Sequence, residues 1–149
     1  MKRLIILAIV IIAGITCYAQ KYDITTLKEK AEQGDAKAQY DLYDRYISGT
    51  TVKKDNDMAL YYLCQSADND YPEALYKLGF YYKIGELGLP VWKEKAYDYL
   101  FRAYELGNKS AKSALNDKEL NYAVNVREIR KAIKKQTDLI TTTKTPHLK

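Results

Sequence analysis

His147 is the only histidine of the chain and sits in a Thr-rich terminal run. A His-based nucleophile relay or a His-ligated metal site therefore has no candidate. Cys64 follows Leu63 in an apolar segment, has no base partner nearby in sequence, and reads as buried filler rather than a reactive thiol. Carboxylates are the remaining option. Asp41 with Asp44, and Asp55 with Asp57, stand close enough in sequence for a general acid and base to share work. The plainer account of these four is helix capping and solvated surface. Gly85-x-x-Gly88 reads as a turn and not as a phosphate-cradling loop. The sequence thus argues for no enzyme, and it predicts no cofactor and no metal.

The aromatic residues say more. Of 15 tyrosines, 12 fall between Tyr40 and Tyr104. Tyr46, Tyr62, Tyr82 and Tyr99 recur in a pattern best explained by packing between helices. Tyr40 and Tyr76 are different. With Lys37 and Asp44, and with Glu73 and Phe80, they form stripes spaced three and four apart, one face of each of two helices. Large amphipathic rings on such a face are the residue types that dominate interface energies. Lys37, Tyr40, Asp44, Glu73, Tyr76 and Phe80 are therefore the candidate partner-binding residues. The competing role for the three rings is packing between adjacent units.

What positions them is an internal repeat. The segment from Gly34 to Leu42 aligns with Asp70 to Leu78, with the Ala, Tyr and Leu columns 36 residues apart. Tyr46 and Gly49 recur as Tyr82 and Gly85, and after one inserted residue Ala59, Tyr62 and Leu63 recur as Ala96, Tyr99 and Leu100. A third copy starts at Gly107 with Ala111 and Leu115 in register, then fades. Such a period marks an array whose units cannot bury their apolar faces alone. In the first copy Ala38, Leu42 and Tyr46 form a helical stripe and Asp55 offers an N-cap, and Asp70 with Pro72 is expected to cap and open the second copy. Ile24 to Gln33 reads as the second helix of an incomplete first unit. With no strand-like alternation, the fold class is all-α: a solenoid of about two full helix-turn-helix repeats.

These residues resemble the Sel-one-like repeats, relatives of the tetratricopeptide repeats. The first copy offers Gly34, Ala38, Leu42, Tyr46, Gly49, Val52, Asp55, Ala59, Tyr62 and Ala67; the second offers Ala74, Leu78, Gly79, Tyr82, Gly85, Leu89, Ala96, Tyr99, Ala103 and Gly107. Three positions depart from the pattern: Tyr43 where Gly79 keeps the family glycine, Asp70 for a closing Gly, and Trp92 where Asp55 supplies an Asp. The resemblance implies a protein-binding scaffold or adaptor, with the face bearing Tyr40 and Tyr76 lining a concave groove. Some relatives have been associated with cell-wall or antibiotic-hydrolysing functions, which implies the rival reading of an envelope hydrolase using a carboxylate pair.

The two ends differ from this body. Lys2-Arg3, the apolar run Leu4 to Ala13 and small residues up to Ala19 read as a signal peptide over 1–19, with export to the periplasm or beyond. A lipoprotein with Cys17 acylated is the competing reading. After cleavage Cys64 would be alone, so the exported domain would be stable through packing without a disulfide. The formal net charge is +5, yet residues 20–126 carry −2 while the stretch from Arg127 onward carries +5. A nucleic-acid partner would need its basic residues on the working face, and none is predicted. The repeat domain is expected over 20–116, followed at 117–140 by a C-terminal amphipathic helix. Its seam of Tyr122, Val126, Ile129, Ile133 and Ile140 is expected to cap the open end of the repeats, with membrane-surface or partner binding as the alternative. Residues 141–149 read as a disordered tail. The expected partner is a protein or peptide, with membrane contact only through a lipidated Cys17 or the basic helix.

Overall fold

Three successive helix ends close in the same way. Main-chain N–H groups of Gly34 and Asp35 donate to Ala31 and Lys30, those of Asp70 and Tyr71 to Ala67 and Ser66, and those of Gly107 and Asn108 to Tyr104 and Ala103, all at 2.9–3.1 Å. This is a Schellman closure, which needs its penultimate residue in the left-handed region. Gly34 and Gly107 meet that need with φ of 88° and 91°, and Asp70 adopts it at φ 56° without being glycine. The period read from the sequence is thus written into the hydrogen bonds three times.

The computed structural model describes residues 23–143. The signal segment with Cys17, and residues 144–149 with His147, lie outside the described residues. Seven helices and no strand occur among the described residues. They are α1 (23–32), α2 (Ala36–Ser48), α3 (Asn56–Asp68), α4 (Pro72–Ile84), α5 (Lys93–Glu105), α6 (Lys109–Ala114) and α7 (Asp117–Thr143). The chain divides after Leu78, within α4, into two compact units.

In the first unit, α2 is capped by Asp35, whose carboxylate accepts from Ala38 N–H, and ends at Gly49 with φ 72°. Asp55 caps α3 by accepting from Asp57 and Met58 N–H. On α2 the predicted stripe of Ala38, Leu42 and Tyr46 is buried, together with Gln39 and Tyr43; on α3 the buried residues are Ala59, Leu63, Ser66 and Ala67. Ser66 is fully buried and its hydroxyl donates to Ala36 O at 2.6 Å, so its burial leaves no polar atom unpaired. Buried Gln39 donates to Ala31 O and accepts from Asn69 Nδ2, both at 2.9 Å, which ties α1, α2 and α3 together. Pro72 opens α4, so the expected cap at Asp70 is corrected: Asp70 belongs to the closing turn of α3, and Tyr71 precedes the helix.

In the second unit, α4 and α5 meet at Gly79, where an added Cβ would lie 2.9 Å from Leu100 Cγ and 3.1 Å from Ala96 O. Trp92 precedes α5 with no side-chain cap. Its N–H donates to Tyr82 O at 2.9 Å, the counterpart of Asp55 N–H to Tyr46 O at 3.1 Å in the first copy. The fading third copy is α6, capped by Asn108 and stopped after six residues. Ala111 and Leu115 are buried as the register predicts. The helix goes no further because Asn116 begins α7 through reciprocal bonds with Glu119: Glu119 N–H to Asn116 Oδ1 at 2.9 Å, and Asn116 N–H to Glu119 Oε2 at 3.0 Å.

The helix α7 departs from its sequence reading in two ways. It continues through Thr143, so 141–143 are helical rather than part of a tail. Its apolar seam packs only at its start: Tyr122 meets Tyr97 edge-on at 5.8 Å and Val126 is half-buried, while Ile129 and Ile133 are 59% exposed. Among the described residues Ala123 is the one buried position of the helix. Arg127 pairs with Glu105 and covers Phe101, and Arg130 pairs with Asp98 at 2.5 Å. Past Val126 the helix is held to α5 by these cationic side chains rather than by Ile129 and Ile133.

Candidate functional site

Five of the six candidate residues fall in the first unit, on α2 and the opening turns of α4. Capping by Asp35 fixes the start of α2, which places Lys37, Tyr40, Asp41 and Asp44 along one side while Ala38, Leu42 and Tyr46 point to the core. Lys37 is exposed and its ammonium donates to Asp41 at 2.8 Å. That carboxylate holds the Lys37 ammonium above its ordinary value. Tyr40 is half-buried; its ring lies 5.3 Å from both Tyr43 and Tyr71, tilted by 46° and 47°. The ring of Tyr40 thus packs against two neighbouring tyrosines while the residue keeps part of its exposure.

Asp44 is exposed as a residue, yet its carboxyl is raised above the ordinary value. Desolvation by neighbouring atoms is the main cause, Lys77 pulls the other way, and Asp41 adds to the rise. Glu73 is exposed in the first turn of α4, and Tyr76 is half-buried two residues past Ala74 of the core. Phe80 belongs to the second unit, where it is exposed.

Tyr71 is the residue that sequence reasoning passed over. It is half-buried, and burial pushes its phenol up, with Glu73, Asp41 and Asp44 adding and Lys37 opposing. Its neighbours therefore include most of the candidate set. The signal was present: Tyr71 stands 36 residues after Asp35, in the N-cap place of the second copy, where a tyrosine has no capping role. Lys77 is the second omission. At the 36-residue separation Lys37 corresponds to Glu73 and Asp41 to Lys77, so the two copies carry reversed charge order at equivalent places. The face is therefore aromatic in its middle and lined by charges of both signs.

The Asp41 carboxylate is engaged by Lys37, and one oxygen of Asp55 accepts two main-chain N–H groups as a cap. Cys64 is half-buried. Among the described residues no group of three or more His, Cys, Asp or Glu side chains could hold a metal ion. No helix among them is long and apolar enough to cross a membrane.

A second feature of the first unit is a cavity of about 480 Å³ lined by Ala31, Glu32, Gly34, Gln39, Tyr61, Tyr62, Gln65 and Asn69. None of the six candidates lines it.

The Sel1 repeat family model matches residues 36–71 and 72–108, whose limits coincide with the starts of α2 and α4 and with the cap of α6. The chain is similar in structure to a Sel1 repeat protein from Oxalobacter formigenes, with a TM-score of 0.56 and 22% identity over 69% of this chain and 98% of that one. It is also similar to c5321, a protective antigen present in uropathogenic Escherichia coli strains and displaying an SLR fold. There the TM-score is 0.55 with 36% identity over 59% of this chain. This chain spans only 19% of that protein's length. No curated protein matches the sequence.

Proposed function

We propose that this chain, a helical solenoid carrying two Sel1 repeats, is an exported, non-catalytic adaptor that grips a protein or peptide partner. Sel1 repeats generally serve protein–protein interaction, and that is the broad ground for the reading. The specific ground is the first unit's face of Tyr40, Tyr71 and Tyr76 between Lys37–Asp41 and Glu73, with Lys77 beside Asp44. Rings of this kind bury large area at low entropic cost, and mixed charges at their border select an orientation for the partner. Phe80 continues the same register on α4 as an exposed apolar ring. Export rests on the charged and apolar N-terminal segment ending at Ala19.

The test is capture of binding proteins by the wild type beside Tyr40→Ala/Tyr76→Ala, with helicity and melting temperature followed in parallel. The variant is expected to lose captured partners while staying folded. Equal capture by a folded variant overturns the assignment.

A further inference from the structure

The stacked tyrosine pairs of the two repeats differ in what lies over them. In the second repeat the chain brings its own cations: Lys95 Nζ stands 4.6 Å from the centre of the Tyr82 ring, and the Arg102 guanidinium 5.9 Å from that of Tyr99. A cation in such a place is attracted by the negative face of the ring. The first repeat keeps the rings as Tyr46 and Tyr62 but replaces both cations. Met58 stands 37 residues before Lys95, and Gln65 stands 37 before Arg102.

Where the second repeat has that guanidinium, the first unit has its cavity of about 480 Å³, lined by both Tyr62 and Gln65. Tyr61 stands edge-on to Tyr62 at 5.1 Å, and among the described lining residues Glu32 is the one that carries charge. The amides at the cavity are oriented by their own bonds. Ala31 O can only accept, so Gln39 turns Nε2 to it and Oε1 to Asn69, which must then donate. Each amide thus has a donor engaged, while Asn69 Oδ1, the Glu32 carboxylate and two phenol oxygens are acceptors. Burial pushes the Tyr62 phenol up, and Tyr46, Tyr61 and Glu32 add to the rise, so the charge of Glu32 is felt at the ring. We propose that this cavity binds a small organic cation, a guanidinium or primary ammonium on a short apolar stem, with its head between Glu32 and Tyr62.

Three features choose that ligand. The second repeat shows that a guanidinium suits this tyrosine, since Arg102 takes the equivalent place over Tyr99. Glu32 would repel an anion, and a neutral sugar would leave its charge unmatched. A space of about 480 Å³ is also in the range that takes a small molecule whole rather than the tip of one side chain. The cavity and the face bearing Tyr40 share no lining residue, so neither assignment depends on the other.

The test is isothermal titration of the full chain with agmatine at low salt, beside N-acetylglucosamine, inorganic phosphate and the capped tripeptide acetyl-Gly-Arg-Gly-amide. Agmatine is expected to bind saturably at one site, roughly tenfold or more tighter than sugar or phosphate, and tighter than the tripeptide. Glu32→Gln is expected to weaken it by about fivefold or more, and Tyr61→Ala by about threefold. Gln65→Arg gives the first repeat the guanidinium of the second and is expected to abolish binding. Helicity and melting are followed in all three, and each position is exposed, so the fold is expected to survive. Absence of saturable agmatine binding overturns the site. So does undiminished affinity in folded Glu32→Gln or Gln65→Arg. Sugar or phosphate bound as tightly as agmatine overturns the cation class. A tripeptide bound as tightly or more so overturns the free ligand and assigns the cavity to an arginine of a polypeptide.

Discussion

The two repeats share a pattern and differ at the place where their helices cross. In the second, Gly79 lets α4 come against Leu100 and the backbone of α5, with no room for another carbon. In the first, the equivalent position is Tyr43, 2% exposed and in ring contact with Tyr40. What the copies keep is elsewhere. Tyr46 stacks on Tyr62 at 5.7 Å and 12°, and Tyr82 on Tyr99 at 5.9 Å and 7°. The repeat is thus specified by its ends, with a stacked tyrosine pair at one and a left-handed closing turn at the other. The crossing point between them accepts either a void-free backbone contact or a buried phenol. In the first repeat the phenol also supports Tyr40, so the departure from the pattern lies beneath the candidate binding face.

The largest expected effect comes from emptying that crossing. Tyr43→Ala should cost about 3–5 kcal/mol, because a large buried ring leaves a cavity. Leu42→Ala and Leu78→Ala should each cost about 2–5 kcal/mol by the same mechanism, both leucines being essentially inaccessible to solvent. Gly79→Ala should cost about 1–3 kcal/mol for the opposite reason, overpacking against Leu100 and Ala96. Denaturant midpoints for the four variants check this order. A Gly79→Ala protein as stable as wild type would mean the second crossing is as open as the first.

The architecture was legible because the Ala, Leu and Tyr columns are both spaced and typed, and a doubled coincidence of that kind survives local edits. Less legible were features set by partners that sequence spacing does not name. Asp70 looked like a cap because aspartate caps helices, but the closing turn claimed it first. Tyr71 was missed because its neighbours, Tyr40 and Glu73, lie on different helices or in the next turn. Periodicity marks a stripe on α7 but does not tell how much of it faces the fold. What packs is Tyr122 and Ala123 with the stems and charges of Arg127 and Arg130, while Ile129 and Ile133 stay exposed.

The closing turns give the next prediction. Asp70→Gly should gain up to about 1 kcal/mol by relieving a left-handed aspartate, and Gly107→Asp should lose about the same. Thermal melts of the two would show opposite shifts; a loss on Asp70→Gly would mean the side chain contributes more than its strain costs.

The smallest effect is a pH contrast between the units. Glu119 is partly desolvated, which alone would raise its carboxyl, but Asn116 N–H, Lys83 and the Tyr97 hydroxyl together hold it below the ordinary value. Its stabilisation is present above that ordinary value and is lost as pH falls through the lowered folded value. Asp44 is raised, so its contribution has the opposite sign: it favours folding at low pH and is lost as pH rises through its folded value. Melting temperature against pH should fall less steeply on acidification for Glu119→Gln than for wild type, and more steeply for Asp44→Asn.

The most direct test of the adaptor reading is site-specific photocrosslinking from two tyrosines of the first unit, Tyr40 on the candidate face and Tyr61, which is exposed on α3. A photoreactive phenylalanine at position 40 should yield a discrete polypeptide adduct, and the same group at position 61 should not. Adducts of equal yield from both positions, or none from position 40 in a folded protein, would contradict the account.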